Sequence, residues 1–566
     1  MEKRVFLAIF LCFIVVWVWQ SYFVPKPPPP VPAALTPSAG APSSPPAPAV
    51  APGAQTPAPA VPETPAAAPL VADPAARDIL IETDSVHAVF NTSGAVLKSW
   101  KLKKYRDEAG QPLELVPQNI PAGTYARPFT LATDNSGLTQ TLSRALFKPS
   151  AEGLSLGSAP GTLSFQYQDA SGLNARKTFY FQPDGKPYVV NVEAAIDVGG
   201  ASQPVELDWG PALGLGYSPD GSQALPVRAI QFRNDTVERL AADKLLAQGT
   251  YEGQIRYLGV EEHYFLSGAL PGTQAVTVKY QPITLPGTVE GKVRTFIAYS
   301  VRVPSASHGT ATLPFFMGPK DFDALKAVDV QLSRAIDFGM FAWLVVPLLQ
   351  ALKWINGFLG NFGWSIIVLT ILINLAMFPL RHKSMVSMRK MQSLQPQIKA
   401  IQDRYAKYKL TDPERQKMNQ EMMALYKERG VNPASGCVPM LLTMPVLFAF
   451  YQMLASSIEL RDAPFMWWIK DLSKMDPLYV TPIVMGGTMF WQQRMMPTTA
   501  DPVQAKMFMF MPAIFTVMFL WAPSGLVIYW LVSNVMAIGQ QYLTNRIIGA
   551  PARPVRPAPA PDKPRK

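Results

Sequence analysis

Cysteine, histidine and charge are all scarce in this chain. Its two cysteines, Cys12 and Cys437, both fall in apolar stretches, which excludes a disulfide framework and any zinc-ligand spacing. The four histidines (His87, His263, His308 and His382) are scattered and form no ligand cluster, so neither a metal nor another cofactor is expected. Charged residues make up 16% against 48% hydrophobic, too apolar a balance for a wholly soluble protein. The apolar stretches of the C-terminal half lack Asp, Glu, Lys and His, which argues against an ion-coupled transporter. Paired carboxylates in a catalytic setting are missing, and no phosphate loop exists, since Gly214-Leu215-Gly216 has no third glycine at the required place. Gly153-Leu154-Ser155-Leu156-Gly157 matches a nucleophile-elbow string, but without the strand–turn–helix setting it reads as a loop, and no enzyme is predicted.

What is present is a set of five apolar segments near residues 363–380, 436–454, 479–493, 507–522 and 525–543. A spanning helix needs roughly 20 mostly apolar residues, so these read as membrane spans. The net charge of +11 is concentrated beside them: residues 381–430 hold twelve Lys/Arg against five Asp/Glu, and residues 546–566 hold six against one. Basic segments flanking spans are explained by the positive-inside rule and place both in the cytoplasm; nucleic-acid recognition is not needed to account for them. Residues 456–478, with three basic against four acidic side chains, then fall outside, and charge and alternation agree.

The N-terminal half completes the organisation. Residues 1–24 form an uncleaved anchor, since Pro25-Lys26-Pro27 follows where a cleavage site would need small residues. Residues 25–72 are a Pro/Ala-rich extended linker. Residues 73–318 alternate with period two: Leu163, Phe165 and Tyr167 precede a turn at 169–172, and Ala175, Lys177, Phe179 and Phe181 line one face of the next run. Short strands punctuated this way indicate an all-β sandwich, which an N-in anchor places outside the cytoplasm. Residues 319–360 turn helical, with Trp343, Trp354 and Lys353 suggesting a helix on the outer membrane surface, not a span. Residues 361–546 hold the five-helix core, including a cytoplasmic helical hairpin at 381–430, and 547–566 form a basic tail. The fold expected is therefore a polytopic α-helical membrane protein of six transmembrane helices with a large external β-sandwich.

Two groups of residues are candidates for function. Met388, Met391, Leu394, Ile398, Ile401, Tyr405 and Tyr408 form one apolar stripe, and Met418, Met422 and Leu425 supply a matching face after the capping box Thr411-Asp412-Pro413-Glu414, with its proline in the first turn. The stripe is either a self-satisfied helical hairpin or, through Met388, Met391, Met418 and Met422, a flexible surface for varied apolar clients. Inside the spans, polar residues recur at i,i+4 as Thr370/Asn374, Thr488/Gln492 and Trp530/Asn534, with Thr443, Tyr529 and Gln541 nearby. A lone Thr in a span usually bonds its own helix, but several such faces in one bundle favour a shared polar cavity.

Asn432-Pro433, Gly436-Cys437-Val438-Pro439, Met496-Pro497-Thr498-Thr499 and Pro523-Ser524-Gly525-Leu526 with Tyr529-Trp530 and Ser533-Asn534 resemble the YidC family of membrane-protein insertases of Gram-negative inner membranes. The resemblance is specific over residues 361–546 and mainly architectural over the β-domain. It implies an inner-membrane insertase with a periplasmic β-domain, and a hydrophilic groove open to cytoplasm and lipid but closed outside. It further implies nascent membrane proteins as clients, the lipid bilayer, the Sec translocon and, through the basic hairpin and tail, the ribosome as partners. An assembly chaperone beside the translocon without autonomous insertion is the alternative, and a sugar-acting sandwich enzyme a distant third. Thr370 then matches a groove threonine and Trp530 a groove aromatic. The family usually places an arginine in the first core span where this chain has Asn374. That departure predicts a groove working by hydration, with charge attraction left to the hairpin and acids in a client tail of little consequence.

Overall fold

The computed structural model describes residues 68–107, 109–118, 125–210, 227–286, 293–303, 310–406, 408, 412–430, 438–495 and 502–548. The anchor at 1–24, most of the linker and the tail beyond 548 lie outside the described residues. All described residues belong to one compact unit, Pro65–Lys566.

Alternating side chains build the β-domain. Gly161–Asp169, Leu173–Phe181 and Val189–Val198 form consecutive antiparallel strands, with Phe179 opposite both Leu163 and Val192. Their inward residues are buried and meet those of two further sheets. The architecture is one eleven-stranded sheet and two five-stranded sheets, more layered than a simple two-sheet sandwich. Two short helices accompany the sheets: α1 (Ser136–Arg144) packs against the strand Thr130–Ala132 and α2 (Ala242–Ala247) against Ala275–Pro286. An aromatic core joins the layers: Phe90 lies 4.6 Å from Phe179, and Phe129 5.0 Å from Phe315. Trp100 Nε1 donates to the Met317 carbonyl at 2.9 Å. Pro69–Val71 pairs with Gly161–Asp169, so strand structure begins inside the stretch read as linker. Gly153–Gly157 also departs from its reading as a loop: it is a strand paired in parallel with Asp78–Thr83, and its serine is not on an elbow.

The inward alternation includes a lysine. Lys177 is fully buried, and its ammonium donates to the carbonyls of Gly94, Ala95 and Phe129 at 2.7, 2.9 and 2.6 Å. Residues 94, 95 and 129 all have positive φ, which turns those carbonyls toward one point. Burial pushes the ammonium down to about 7, against the opposing charge of Asp208.

A charged strap leads from the β-domain into the helices. α3 (Phe322–Val328), capped by Asp321, and the 3₁₀ turn Val330–Ala335 lie along the sheet. Arg256 pairs with Asp329 at 2.8 Å, and Arg239 bridges buried Glu261 (2.8 Å) to the Ala335 carbonyl (2.7 Å). α4 (Ala342–Leu359) buries Val345, Leu349, Leu352 and Ile355 and exposes Trp343, Trp354 and Phe358 on its other side.

α5 (Phe362–Ser393) runs for 32 residues, past the polarity change at Arg381 where a span was expected to end. α6 (Gln395–Arg404) and α7 (Pro413–Glu428) form the hairpin, closed by Leu394 and Ile398 packing with Met391, Met422, Leu425 and Tyr426. Asp412, not Thr411, caps α7: its carboxylate accepts from Glu414 N at 3.1 Å with Pro413 in the first turn. Pro413 takes the first helical position, which puts the cap on the residue immediately before it. α8 (Val438–Ser456), α9 (Val480–Met495), α10 (Pro502–Phe519) and α11 (Ser524–Ile548) complete the bundle. By length and composition two helical stretches among the described residues can cross a membrane, Gly339–Leu359 and Phe362–Met391.

The bundle and β-domain are pinned together at the end of α8. His263 Nε2 donates to the Ala455 carbonyl at 2.7 Å. Arg461 donates to the Arg106 carbonyl at 3.1 Å and lies over the rings of Tyr264 and Phe265. Lys353 of α4 meets Asp321, Asp323 and Glu459.

Candidate functional site

The polar groups of the bundle are organised by α11. At about 100° per residue, Tyr529, Gln540 and Thr544 fall along one line, and Trp530, Asn534 and Gln541 along the next. The first line meets α5. Gln540 Nε2 donates to the Phe378 carbonyl at 3.3 Å, and the Thr544 hydroxyl lies 3.3 Å from His382 Nδ1. Tyr529 stacks on Phe450 of α8 with centroids 4.1 Å apart. The second line meets α9 and α10. Asn534 Nδ2 donates to the Thr488 hydroxyl at 3.2 Å, Gln541 Nε2 donates to the Met495 carbonyl at 3.3 Å, and Trp530 packs edge-on to Phe519 at 5.0 Å.

On α5 the row begins conservatively. Thr370 Oγ1 donates to the Ile366 carbonyl at 2.6 Å, the self-satisfied bond common for threonine in apolar helices. Asn374 Nδ2 donates to the Thr370 carbonyl at 2.8 Å, leaving its side-chain oxygen directed along the helix. Arg381 fills that position: its Nη1 donates to Asn374 Oδ1 at 2.7 Å. Both Thr370 and Asn374 are buried, and Arg381 is half-buried. The guanidinium also lies within electrostatic range of the Tyr529 phenol. A cation therefore reaches the polar row from two turns further along α5.

The expected site residues thus divide. Thr370, Asn374 and Tyr529 belong to the α5 side, whereas Thr488, Trp530 and Asn534 belong to the α9–α10 side. Gln492 is half-buried on α9, and the Thr443 side chain lies outside the described residues. In the hairpin, Met391 and Met422 are part of its internal cluster and Met418 is buried, while Met423 is exposed; the Met388 side chain is outside the described residues. Sequence reading missed Arg381, His382, Gln540 and Thr544. The available signal was helical spacing: 370, 374 and 381 stay within about 40° on a helix, but hydropathy assigns Arg381 to the loop.

At the β-domain end of the bundle a loop is bound to the start of α11. Backbone N–H groups of Ser524 and Gly525 donate to the carbonyls of Lys474 (2.7 Å) and Leu472 (2.9 Å), and Met475 forms a bridge with Pro523. Asp476 fixes this loop. Its nearly inaccessible carboxylate accepts from Trp468 Nε1 (2.9 Å), Leu478 N (2.9 Å), Thr481 N (2.8 Å) and the Thr481 hydroxyl (2.8 Å). Burial opposes the charge, but these donors hold the carboxyl below its ordinary range.

Among the described residues no group of three or more His, Cys, Asp or Glu is placed to hold a metal ion. What the site offers is hydrogen-bonding capacity inside an apolar bundle, with a backbone-bonded loop at one end and a guanidinium toward the other. Two family models match the chain: "YidC periplasmic domain" over residues 78–351 and "60Kd inner membrane protein" over residues 354–550. The membrane protein insertase YidC of Oleidesulfovibrio alaskensis is 37% identical, covering 83% of this chain and 87% of that one. The insertase of the same name from Syntrophus aciditrophicus is 36% identical over 96% of this chain and 100% of its own. A crystal structure of an active YidC insertase with its first transmembrane domain resolved is 19% identical, at a TM-score of 0.33, over 84% of this chain and 95% of that one. With relatives this similar along most of its length, the chain belongs to the YidC family of membrane protein insertases, inner-membrane proteins with a periplasmic domain.

Proposed function

We propose that this protein inserts membrane proteins through the polar row of its helix bundle. The observation that carries the reading is the combination of Thr370, Asn374, Arg381, Gln540 and Thr544 on one side of an apolar bundle with a backbone-bonded loop at the β-domain end. A client's hydrophilic segment carries backbone groups that cost several kcal/mol each when buried without a partner, roughly 2–7 by reference state. A row of exchangeable donors and acceptors shortens the dry path such a segment must cross, while the client's apolar segment partitions into lipid and supplies the driving force. No nucleotide or redox chemistry is required for this, and the protein acts as a non-catalytic insertase.

In this reading the chain spans the membrane six times: the anchor at 1–24, then α5, α8, α9, α10 and α11. The β-domain, at about 73–318, is periplasmic. The stretch 319–360, containing α4, lies along the outer surface, although its length and composition would allow it to cross. Lys353 in the middle of α4 is neutralised by Asp321 and Asp323 from the strap and Glu459 from the outer loop, and these tethers keep it at the surface. The core is 361–546, with the hairpin at 381–430 and the basic tail at 547–566 in the cytoplasm, as are both termini. The Sec translocon is a partner on the periplasmic side, and the basic hairpin and tail contact the ribosome. Apolar clients reach Met391, Met418 and Met422 when the hairpin opens.

The test is insertion of a small single-span client into liposomes containing only this protein, scored by protease protection. Protection above empty liposomes, reduced by Thr370→Ala and by Trp530→Ala, is the expected outcome. No protection with folded wild-type protein would refute autonomous insertion.

A further inference from the structure

We propose that the β-domain carries an anionic-phospholipid site where it meets the outer face of the membrane, with Arg228 as its main ligand and Arg239 and Lys320 behind it. The proposal rests on the reading of α4 as a surface helix and adds a binding site to it. The site is built on the sheet face along which the strap runs. Arg228 and Glu261 stand opposite each other across the antiparallel strands Arg228–Arg233 and Tyr257–Glu261. Arg239 comes from the adjoining strand Thr236–Leu240, and Lys320 follows directly on Thr310–Pro319. The buried Glu261 carboxylate is already shared: Arg239 Nε donates to Oε1 at 2.8 Å, and Lys320 Nζ donates to Oε2 at 3.2 Å. Arg228 is left over. Its Nη2 comes no closer to Glu261 Oε1 than 3.5 Å, and 40% of its side chain is exposed.

The other acids nearby do not cancel this surplus. Asp337 is exposed and lies 3.9 Å from Arg239 Nη1, beyond a hydrogen bond. Burial pushes the Glu262 carboxyl up to about 7, against the lowering influence of Arg461 and Lys320. Burial, reinforced by Lys320 and Arg228, also holds the His263 imidazole below its ordinary range, the direction a positive field gives. Position then selects the ligand. The Asp337 carbonyl accepts from Gln452 Nε2 at 2.7 Å and from the Ser456 hydroxyl at 3.3 Å, so the cluster lies level with the last turn of α8. Directly after Asp337 the chain exposes Met340 and Trp343, 84% and 71% accessible. Bare apolar side chains beside a spare guanidinium are the two halves of a phospholipid contact: Met340 and Trp343 enter the acyl boundary, and Arg228 donates to the phosphodiester oxygens. A soluble anion uses only the cationic half. A zwitterionic lipid brings an ammonium of its own, which opposes the surplus, so an anionic headgroup fits best.

A simpler account makes Arg228 a solvated neighbour of a satisfied carboxylate, and the two accounts differ in their dependence on lipid. The test uses full-length protein in nanodiscs of phosphatidylcholine, with and without phosphatidylglycerol. It reads hydrogen exchange in peptides covering residues 228–240 and 333–343. In the wild type, phosphatidylglycerol is expected to slow exchange there roughly fivefold, the factor that one cation supplies near an anionic surface. Arg228→Gln is expected to remove that slowing, and Arg228→Lys to keep most of it as a point charge. Arg176→Gln, which removes an exposed cation elsewhere on the β-domain, is expected to leave it unchanged. Equal slowing in wild type and Arg228→Gln would overturn the proposal. So would slowing by inorganic phosphate in discs of phosphatidylcholine alone, which would make this a site for soluble anions. Should Arg228→Gln fail to fold, raising the salt, which screens exposed charges, is expected to erase the wild-type slowing, and slowing that persists would overturn the proposal. A spin label at Trp343→Cys, with Cys12 and Cys437 replaced by serine, reports depth in the same discs. A label at headgroup level upholds α4 as a surface helix, so that absent slowing then refutes the lipid site alone. A label at the bilayer centre would overturn the surface reading of α4 itself.

Discussion

Replacing Asp476 by alanine is expected to unfasten the β-domain end of the bundle while leaving the β-domain intact. The carboxylate accepts four hydrogen bonds at 2.8–2.9 Å and is 1% exposed, so water cannot take its place without opening the loop. Hydrogen bonds to a charged acceptor contribute about 1.5–3 kcal/mol each, but bonds sharing one carboxylate are lost together and do not add. One of them satisfies the Thr481 N–H in the first turn of α9, a cap worth about 1 kcal/mol by itself. A local loss of about 3–5 kcal/mol follows for Asp476→Ala, and about 1–2 kcal/mol for Asp476→Asn, which keeps one acceptor oxygen but no charge. Hydrogen exchange by mass spectrometry, on full-length protein in lipid nanodiscs, reads this directly. Peptides covering residues 466–483 are expected to exchange at least about a hundredfold faster in the alanine variant, since 1.4 kcal/mol corresponds to a factor of ten, and those from the β-domain not at all faster. An increase below about threefold, in protein that is otherwise folded, would mean that the Ser524 and Gly525 backbone bonds hold this end alone and that the four bonds to Asp476 contribute little.

The β-domain is expected to show a pH dependence centred on Lys177. Its folded pKa is depressed to about 7 from the usual lysine value of 10.5, so its unfavourable contribution is fully present below pH 7 and is relieved as pH rises through that window toward 10.5. Exchange protection of the strands Gly161–Asp169 to Val189–Val198 should therefore increase from pH 7 to 9, after correction for intrinsic rates, by up to about 1.4 kcal/mol per pH unit. Lys177→Met should flatten that slope; an unchanged slope would assign it elsewhere. Between α9 and α10, a methyl group at Gly486 would sit 2.0 Å from the Thr516 hydroxyl, so Gly486→Ala should lower thermal stability in detergent by about 1–3 kcal/mol through overpacking. Adding Thr516→Ala should recover part of that loss, and no recovery would show that the helices part for another reason.

Much of the architecture was legible because burial and periodicity coincide. The strands Gly161–Asp169 and Leu173–Phe181 and the turn between them stand where alternation put them, and even Lys177 lies on the inward face that its neighbours define. The five apolar segments each became a helix within a few residues of their expected limits, except at the end of α5. There the hydropathy changes, whereas the helix continues because nothing in residues 381–393 breaks it. The same distinction hid the Arg381–Asn374 bond. Asp476 was invisible for a different reason: an acid in a loop looks solvated, and only the fold brings the indole of Trp468 and the first turn of α9 around it. Met391, Met418 and Met422 lie on the hairpin's apolar stripe as the spacing implies, but a stripe does not state whether it is used internally, and here Met391 and Met422 are.

The unbroken course of α5 has a mechanical consequence. With Pro379 inside it the helix is still continuous, and at 1.5 Å per residue its 32 residues extend about 48 Å along the axis, well beyond the roughly 30 Å hydrocarbon thickness of a bilayer. Tilting such a rod by 10° about its β-domain end swings the other end by roughly 8 Å, and the hairpin travels with that end because α6 follows after a single residue. A load on the hairpin therefore works a long lever whose short arm carries Thr370 and Asn374, so that large, weakly resisted movements at the hairpin become small, forceful ones at the polar row.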